Sequence, residues 1–235
     1  MDTALIEVRD TVKDYRSLRP LRVQQLDVRE GESMALLGFD QAMAEVFVNL
    51  LTGAILPDSG TITVFGERTD AIPDAESWMR TLDQFGLISD RAVMLDQLTT
   101  EQNLAMPISL HIETMPGDVR DRVGALGREV GLTPAELASA AGSLQPLARQ
   151  RLRLGRALAL APRVVLAEHP NAALSGPDTL AFAGVFREVV ARRGIAALVL
   201  TASTEFATAI SPRVLVLQPA TGALKASSAW RRWLS

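Results

Sequence analysis

The chain alternates between short apolar runs and longer stretches in which apolar residues recur at helical spacing, and that alternation sets the expected elements. Residues 4–8, 22–28 and 34–37 read as strands, with Tyr15 in the polar turn between the first two. A tight loop opened by Gly38 follows, and then Val46, Phe47, Leu50 and Leu51 fall on one helical face. The run Leu56-Pro57-Asp58-Ser59-Gly60 is a strong turn signal. After it, residues 61–65 predict an edge strand, and residues 85–88 a further strand ending at Ser89 and Asp90. From 99 to 161 the period lengthens: 101–110, 118–130, 134–141 and 148–160 predict helices, with Gly131 and Gly142 as stops. Strands resume at 164–167, 196–200 and 214–217, with a helix at 178–192, as expected of a parallel sheet covered on both faces. The order predicts one α/β domain over 1–235, with a core of 1–90 and 161–235 and a helical subdomain at 91–160.

Composition then narrows the function classes. Of 235 residues 48% are hydrophobic, and a chain of this size buries roughly 70% of its unfolded surface. A net charge of −3 gives no general attraction to nucleic acid, so no nucleic-acid partner is expected. Arg149, Arg151, Arg153 and Arg156 do cluster, and their spacing predicts a solvated helix face. The absence of cysteine excludes a disulfide framework, a thiolate nucleophile and a zinc–thiolate site. No apolar run approaches the ~18 residues that a membrane span requires. A soluble protein is expected, with any membrane role peripheral.

The strand–loop–helix stretch from Ser33 to Gly53 sits where a phosphate-cradling loop, G-x-x-x-x-G-K-[ST], would lie. Its residues here are Gly38, Phe39, Asp40, Gln41, Ala42, Met43, Ala44 and Glu45. Met43 stands in place of the second glycine, Ala44 of the lysine and Glu45 of the magnesium-binding hydroxyl. Around it, Asn49-Leu50-Leu51-Thr52-Gly53 and Leu56-Pro57-Asp58-Ser59-Gly60-Thr61-Ile62 resemble the ATP-binding subunit of an ABC transporter. Leu98-Thr99, Asn103, Ala105-Met106-Pro107, Gln150-Arg151, Arg156-Ala157-Leu158-Ala159 and Pro162-Arg163-Val164-Val165-Leu166-Ala167 extend the resemblance, which runs from about Leu5 to Leu217.

The resemblance implies a P-loop NTPase fold of the ABC type: a mostly parallel core sheet, an N-terminal antiparallel part and a helical subdomain. It also assigns positions. The strand-end aspartate that helps hold magnesium falls on Glu168, the water-polarising glutamate on His169 and the magnesium-contacting glutamine on Asp90. The LSGGQ signature falls on Leu144-Gln145-Pro146-Leu147-Ala148, the next loop's aspartate on Ser175 and the switch histidine on Ala202. Tyr15, at the place of the aromatic that stacks on adenine, and Gly38 remain as in that family.

Phosphoryl transfer rests on positioning and charge neutralisation, so these replacements bear on the chemistry directly. Exchanging lysine for Ala44 removes an attraction of about 4 kcal/mol at ~4 Å and an effective dielectric of ~20, and Glu45 adds a repulsion of similar size. The expectation is a pseudoenzyme: ATP and magnesium are implied by the resemblance alone, neither is expected to bind tightly, and no metal ligand is assigned. The expected role is structural or regulatory, in a transport complex at the cytoplasmic face of the membrane. Its partners would be a transmembrane subunit and, in one version, a second ATP-binding subunit, as homodimer or heterodimer. Two alternatives stay open: an atypical ATPase using Glu168 and His169, and a soluble interaction module on the same fold. Leu95, Leu98, Leu104, Met106 and Ile108 are the expected apolar anchors for a helix of the transmembrane partner.

Overall fold

A computed structural model describes residues 4–227. Strands β1 (Ala4–Lys13), β2 (Leu21–Arg29) and β3 (Ser33–Leu37) lead to helix α1 (Gln41–Leu51). Then come β4 (Ser59–Val64), β5 (Glu67–Arg68), α2 (Ala75–Leu82) and β6 (Phe85–Ile88). Helices α3 (Thr100–Ala105), α4 (Gly117–Glu129), α5 (Pro134–Ala138) and α6 (Pro146–Leu158) follow in succession. The chain returns through β7 (Val164–Glu168), α7 (Gly176–Arg193), β8 (Ala196–Leu200), α8 (Thr204–Ile210), β9 (Arg213–Gln218) and β10 (Ala223–Ala226).

Two sheets result. One is antiparallel, in the order β2-β1-β4-β5. The other runs β10-β9-β3-β8-β7-β6, parallel throughout except for β10 at its edge. The strand at 61–65, expected at an edge, is instead β4, flanked by β1 and the two-residue β5.

The period-two geometry of a strand divides the core between the faces of the parallel sheet. Met34, Leu36, Val164, Leu166, Leu198 and Leu200 point to one side, where they pack with α1 and the antiparallel sheet. Ala35, Leu37, Val165, Ala167, Ala197 and Val199 point to the other, in one core cluster with residues of α3, α4, α6, α7 and α8. Glycine at 86 permits the closest of these approaches, since a Cβ there would stand 2.3 Å from the Ala157 carbonyl oxygen of α6.

Parallel registers bring four strand ends to one edge. Leu36 is level with Leu200, Leu200 with Glu168, and Ile88 with Ala167. The loops leaving β3, β6, β7 and β8 therefore converge outside the carboxyl ends, the usual ligand position in open α/β sheets.

Candidate functional site

At that edge the loop after β3 is short. Gly38 takes φ +90 and Phe39 turns inward, fully buried, with its ring 5.3 Å from that of Phe47. Asp40 then caps α1. Its carboxylate accepts a hydrogen bond from the Met43 amide at 2.8 Å, and its carbonyl accepts from the Ala44 amide at 2.9 Å. A side-chain oxygen at the N-cap satisfies a donor the helix would otherwise leave open. The chain thus supplies its own anion to the helix start. Gln41 and Ala42 are exposed, Met43 packs partly on the core, and Ala44 is completely buried. Glu45 lies beyond the first turn and faces the β6 exit.

What Glu45 faces is a cation the sequence reading did not single out. Arg91, three residues past β6, forks onto Glu168: Nη2 pairs with Oε1, and Nε lies 3.3 Å from Oε2. Its Nη1 is 3.5 Å from Glu45 Oε1 and donates to Asn49 Oδ1 at 3.3 Å. Ser89 completes the arrangement, its hydroxyl donating to Glu168 Oε2 at 2.8 Å and accepting from the Arg91 amide at 3.1 Å. The Glu168 side chain is only 1% exposed, whereas Arg91 remains 40% exposed. A carboxylate that dry requires a paired charge. The hydrogen bonds and charge of Glu168, with Glu45 behind it, hold the Arg91 guanidinium above its ordinary pKa.

Just past this cluster the loop is gripped from the opposite side. Asp90 pairs with Arg153 at 2.6 Å, the Val93 carbonyl accepts from Arg156 at 2.6 Å, and Asp96 pairs with Arg149 at 2.6 Å. The four arginines of α6 were expected on a solvated face. Instead, Arg153 is 13% exposed, Arg151 donates to the Gly131 carbonyl, and burial lowers the pKa of both Arg153 and Arg156. Beside them is an open groove of about 220 Å³ lined by Phe85, Leu87, Ala92, Pro107, Ala157 and Leu160. Leu87, Val93 and Leu160 present apolar surface there or nearby, whereas Leu104 is fully buried. Leu95, Leu98, Met106 and Ile108 are partly covered.

The other expected positions add no hydrogen bond or ion pair to the Arg91 cluster among the described residues. His169 takes φ +44, its amide donates to the Leu200 carbonyl at 2.8 Å, and its Nε2 is buried without a partner among the described residues. Ala202 is exposed after β8, and Ser175 precedes α7 with its hydroxyl donating to Asp178. Gln145 and Pro146 begin α6 without a side-chain cap. Tyr15, half-buried, lines a cleft of about 380 Å³ with Arg19, Arg22, Leu217 and two residues of the loop after β3, Asp40 and Met43, so the fold brings it beside that loop.

The residues at the strand ends do not fit a nucleotide with magnesium. A metal would need the oxygens of Glu168 and Glu45, and a guanidinium already joins them. A phosphate would need the first-turn amides of α1, and the Asp40 carboxylate already takes that of Met43 and sets a negative charge at the helix start. Among the described residues no group of three or more His, Cys, Asp or Glu side chains is placed to hold a metal ion. No described helix is long and apolar enough to cross a membrane.

No protein-family model matches the chain. It is 26% identical over 220 residues to the methionine import ATP-binding protein MetN of Brucella abortus, covering 91% of this chain and 57% of that protein. The chain therefore spans little more than half the length of that relative. With the lipoprotein-releasing system ATP-binding protein LolD of Alcanivorax borkumensis it shares 26% identity over 209 residues, 87% of this chain and 91% of LolD. Among solved structures, cbiO1 from Clostridium perfringens, part of the ABC transporter complex cbiONQ, superposes with a TM-score of 0.82 at 16% identity, covering 99% of this chain and 91% of that one. The ATP-binding cassette MJ0796, dimeric and bound to ADP and Pi, gives 0.77 at 20% identity over 94% of this chain and 97% of that one. The chain has the ABC-type fold of the P-loop NTPases and, along nearly its whole described length, resembles the ATP-binding proteins of ABC transporters.

Proposed function

We propose that this chain is an ATP-binding-type subunit of an ABC transport complex that does not hydrolyse ATP and acts by holding or regulating its partners. The observation that carries the reading is the Arg91 guanidinium seated between Glu168 and Glu45. A phosphoryl-transfer site needs free cationic and metal charge aimed at the phosphates. Here the one cation among these groups is consumed by the carboxylates, Ala44 offers no charge in the lysine's place, and Asp40 would meet an incoming phosphate with repulsion. His169 lies beside a carboxylate that is already paired, so nothing in the arrangement favours the atypical-ATPase reading.

On this reading the core is 1–90 with 161–235, the helical subdomain is 91–160, and the subunit sits at the cytoplasmic face of a membrane. Its transmembrane partner docks on the groove between Leu87 and Leu160, where apolar surface is rimmed by the α6 arginines. Pairing with a second ATP-binding subunit remains part of the proposal, supported by the dimeric arrangement of MJ0796. Calorimetric titration of the purified protein with Mg-ATP, together with steady-state phosphate release, tests the central claim. No saturable binding below the millimolar range and no turnover are expected. A micromolar dissociation constant, about −8 kcal/mol, requires contacts this geometry lacks and overturns it.

A further inference from the structure

Arg91 does more than neutralise carboxylates, because of where its segment goes next. The stretch from Ser89 to Val93 leaves the sheet edge and enters the helical part of the chain. On the sheet side it is held by Ser89 on Glu168 and by Arg91 on Glu168, Glu45 and Asn49. On the helical side, only residues away, it is held by Asp90 on Arg153 and by Arg156 on the Val93 carbonyl. Five consecutive residues thus join α1, the end of β7 and the middle of α6. Apart from the backbone carbonyl, every link is an ion pair or a hydrogen bond to an ionised or amide group, the stronger and more directional kind.

We propose that Arg91 is a built-in cation that clamps the phosphate-loop helix, the β7 end and α6 together, so that the helical segment and the groove beside it hold one orientation with neither nucleotide nor metal present. The inference rests on the reading that the strand-end site is closed to Mg-ATP, and it adds a consequence for the partner. A docked segment meets a groove whose shape this chain fixes by itself. In a two-state element, a ligand shifts the balance only by its differential affinity for the states. A site that already contains its cation leaves Mg-ATP no such difference to act through.

Hydrogen–deuterium exchange on the full chain tests this. Backbone amides of 89–94 and of the first turns of α6 are followed in wild type, in wild type with millimolar Mg-ATP, in Arg91→Ala and in Glu168→Gln. Wild type is expected to exchange identically with and without Mg-ATP, while Arg91→Ala exchanges roughly tenfold faster in 89–94, the signature of local opening. Glu168→Gln is expected to accelerate the same amides, by less, because the Glu45 and Asn49 links survive. Slowing of 89–94 by Mg-ATP in wild type overturns the clamp, as does wild-type exchange in a folded Arg91→Ala. Where Arg91→Ala does not fold, the wild-type and Glu168→Gln arms decide alone. A titration silent for Mg-ATP combined with unchanged exchange in the variants refutes the clamp while leaving the non-hydrolysing reading intact, and tight Mg-ATP binding refutes that reading first.

Discussion

Removing Arg91 should cost far more stability than an arginine 40% exposed would normally cost, because the loss falls on Glu168. With Arg91→Ala the Glu168 carboxylate, 1% exposed, keeps one donor, the Ser89 hydroxyl at 2.8 Å. Breaking a buried pair by deleting one partner costs about 3–5 kcal/mol. Arg91 is 40% exposed, so water reaches the vacated space and the cost falls to or below the bottom of that range, at about 2–3 kcal/mol. At this chain length that corresponds to a fall of roughly 4–12 °C in melting temperature. Glu168→Gln keeps the shape but removes the charge, and the double variant should lose less than the sum of the singles by about 1–2 kcal/mol. Urea unfolding followed by circular dichroism measures each corner of this cycle, and an unchanged m-value keeps the comparison valid. Salt separates the pair from ordinary surface charge: the Arg91→Ala penalty should persist at high ionic strength, whereas any contribution from Arg80–Glu76, 64% and 83% exposed, should vanish. Additivity within about 0.5 kcal/mol would show that the two side chains act independently and would defeat the reasoning.

The sequence made the sheet readable for a physical reason. A parallel strand covered on both faces is apolar at every position, and 164–167 and 196–200 carry that signal with nothing to compete. Helix α2 does place Ala75, Trp78, Met79 and Leu82 at helical spacing, but eight residues are too few for that period to stand out from the turns on either side. It is anchored by one long-range bond, from Trp78 Nε1 to the Thr52 carbonyl at 2.9 Å. The short α8 and the edge strand β10 fell below the length at which periodicity speaks. The helix expected at 101–110 ends at Ala105, because Pro107 lacks the amide donor and crowds the preceding turn. At the site, Asp40 was readable as a helix cap because its partner is three residues away. Arg91 was not, since Glu168 lies 77 positions along the chain and Asn49 42. The α6 arginines misled in the same way: helical spacing reports which residues share a face, and only the fold reports what covers it.

Four further outcomes follow from individual residues. Gly86→Ala places a methyl group 2.3 Å from the Ala157 carbonyl oxygen, so thermal unfolding should show a loss of about 1–3 kcal/mol as α6 is pushed off β6. Asp40→Ala removes the α1 cap and should cost about 1 kcal/mol in the same assay, with Asp40→Ser recovering most of it. The Arg193 fork on Glu129, at 2.9 and 2.6 Å, lowers that carboxyl's pKa through hydrogen bonding first. The native value is the depressed one, so the pair's contribution, about 1 kcal/mol, is complete above the ordinary glutamate value of about 4.3 and is lost as pH falls through the native one. Glu129→Gln should flatten that part of a stability-against-pH curve, and an unchanged acid limb would contradict it. The phosphate loop is the hardest case. Sequence reasoning expects Met43→Gly, Ala44→Lys and Glu45→Ser to rebuild part of the cradle, because they restore a glycine, a cation and a hydroxyl. In the folded chain two obstacles survive that triple change: Asp40 still occupies the Met43 amide, and Arg91 still occupies Glu168. Residue 44 is also fully buried, so a lysine there gains its charge partner only if a phosphate reaches it. The triple variant should therefore titrate with Mg-ATP no better than wild type, and binding should appear only when Asp40→Gly and Arg91→Gln are added. Micromolar affinity in the triple variant alone would mean that neither the Asp40 cap nor the Arg91 pair stands in the nucleotide's way.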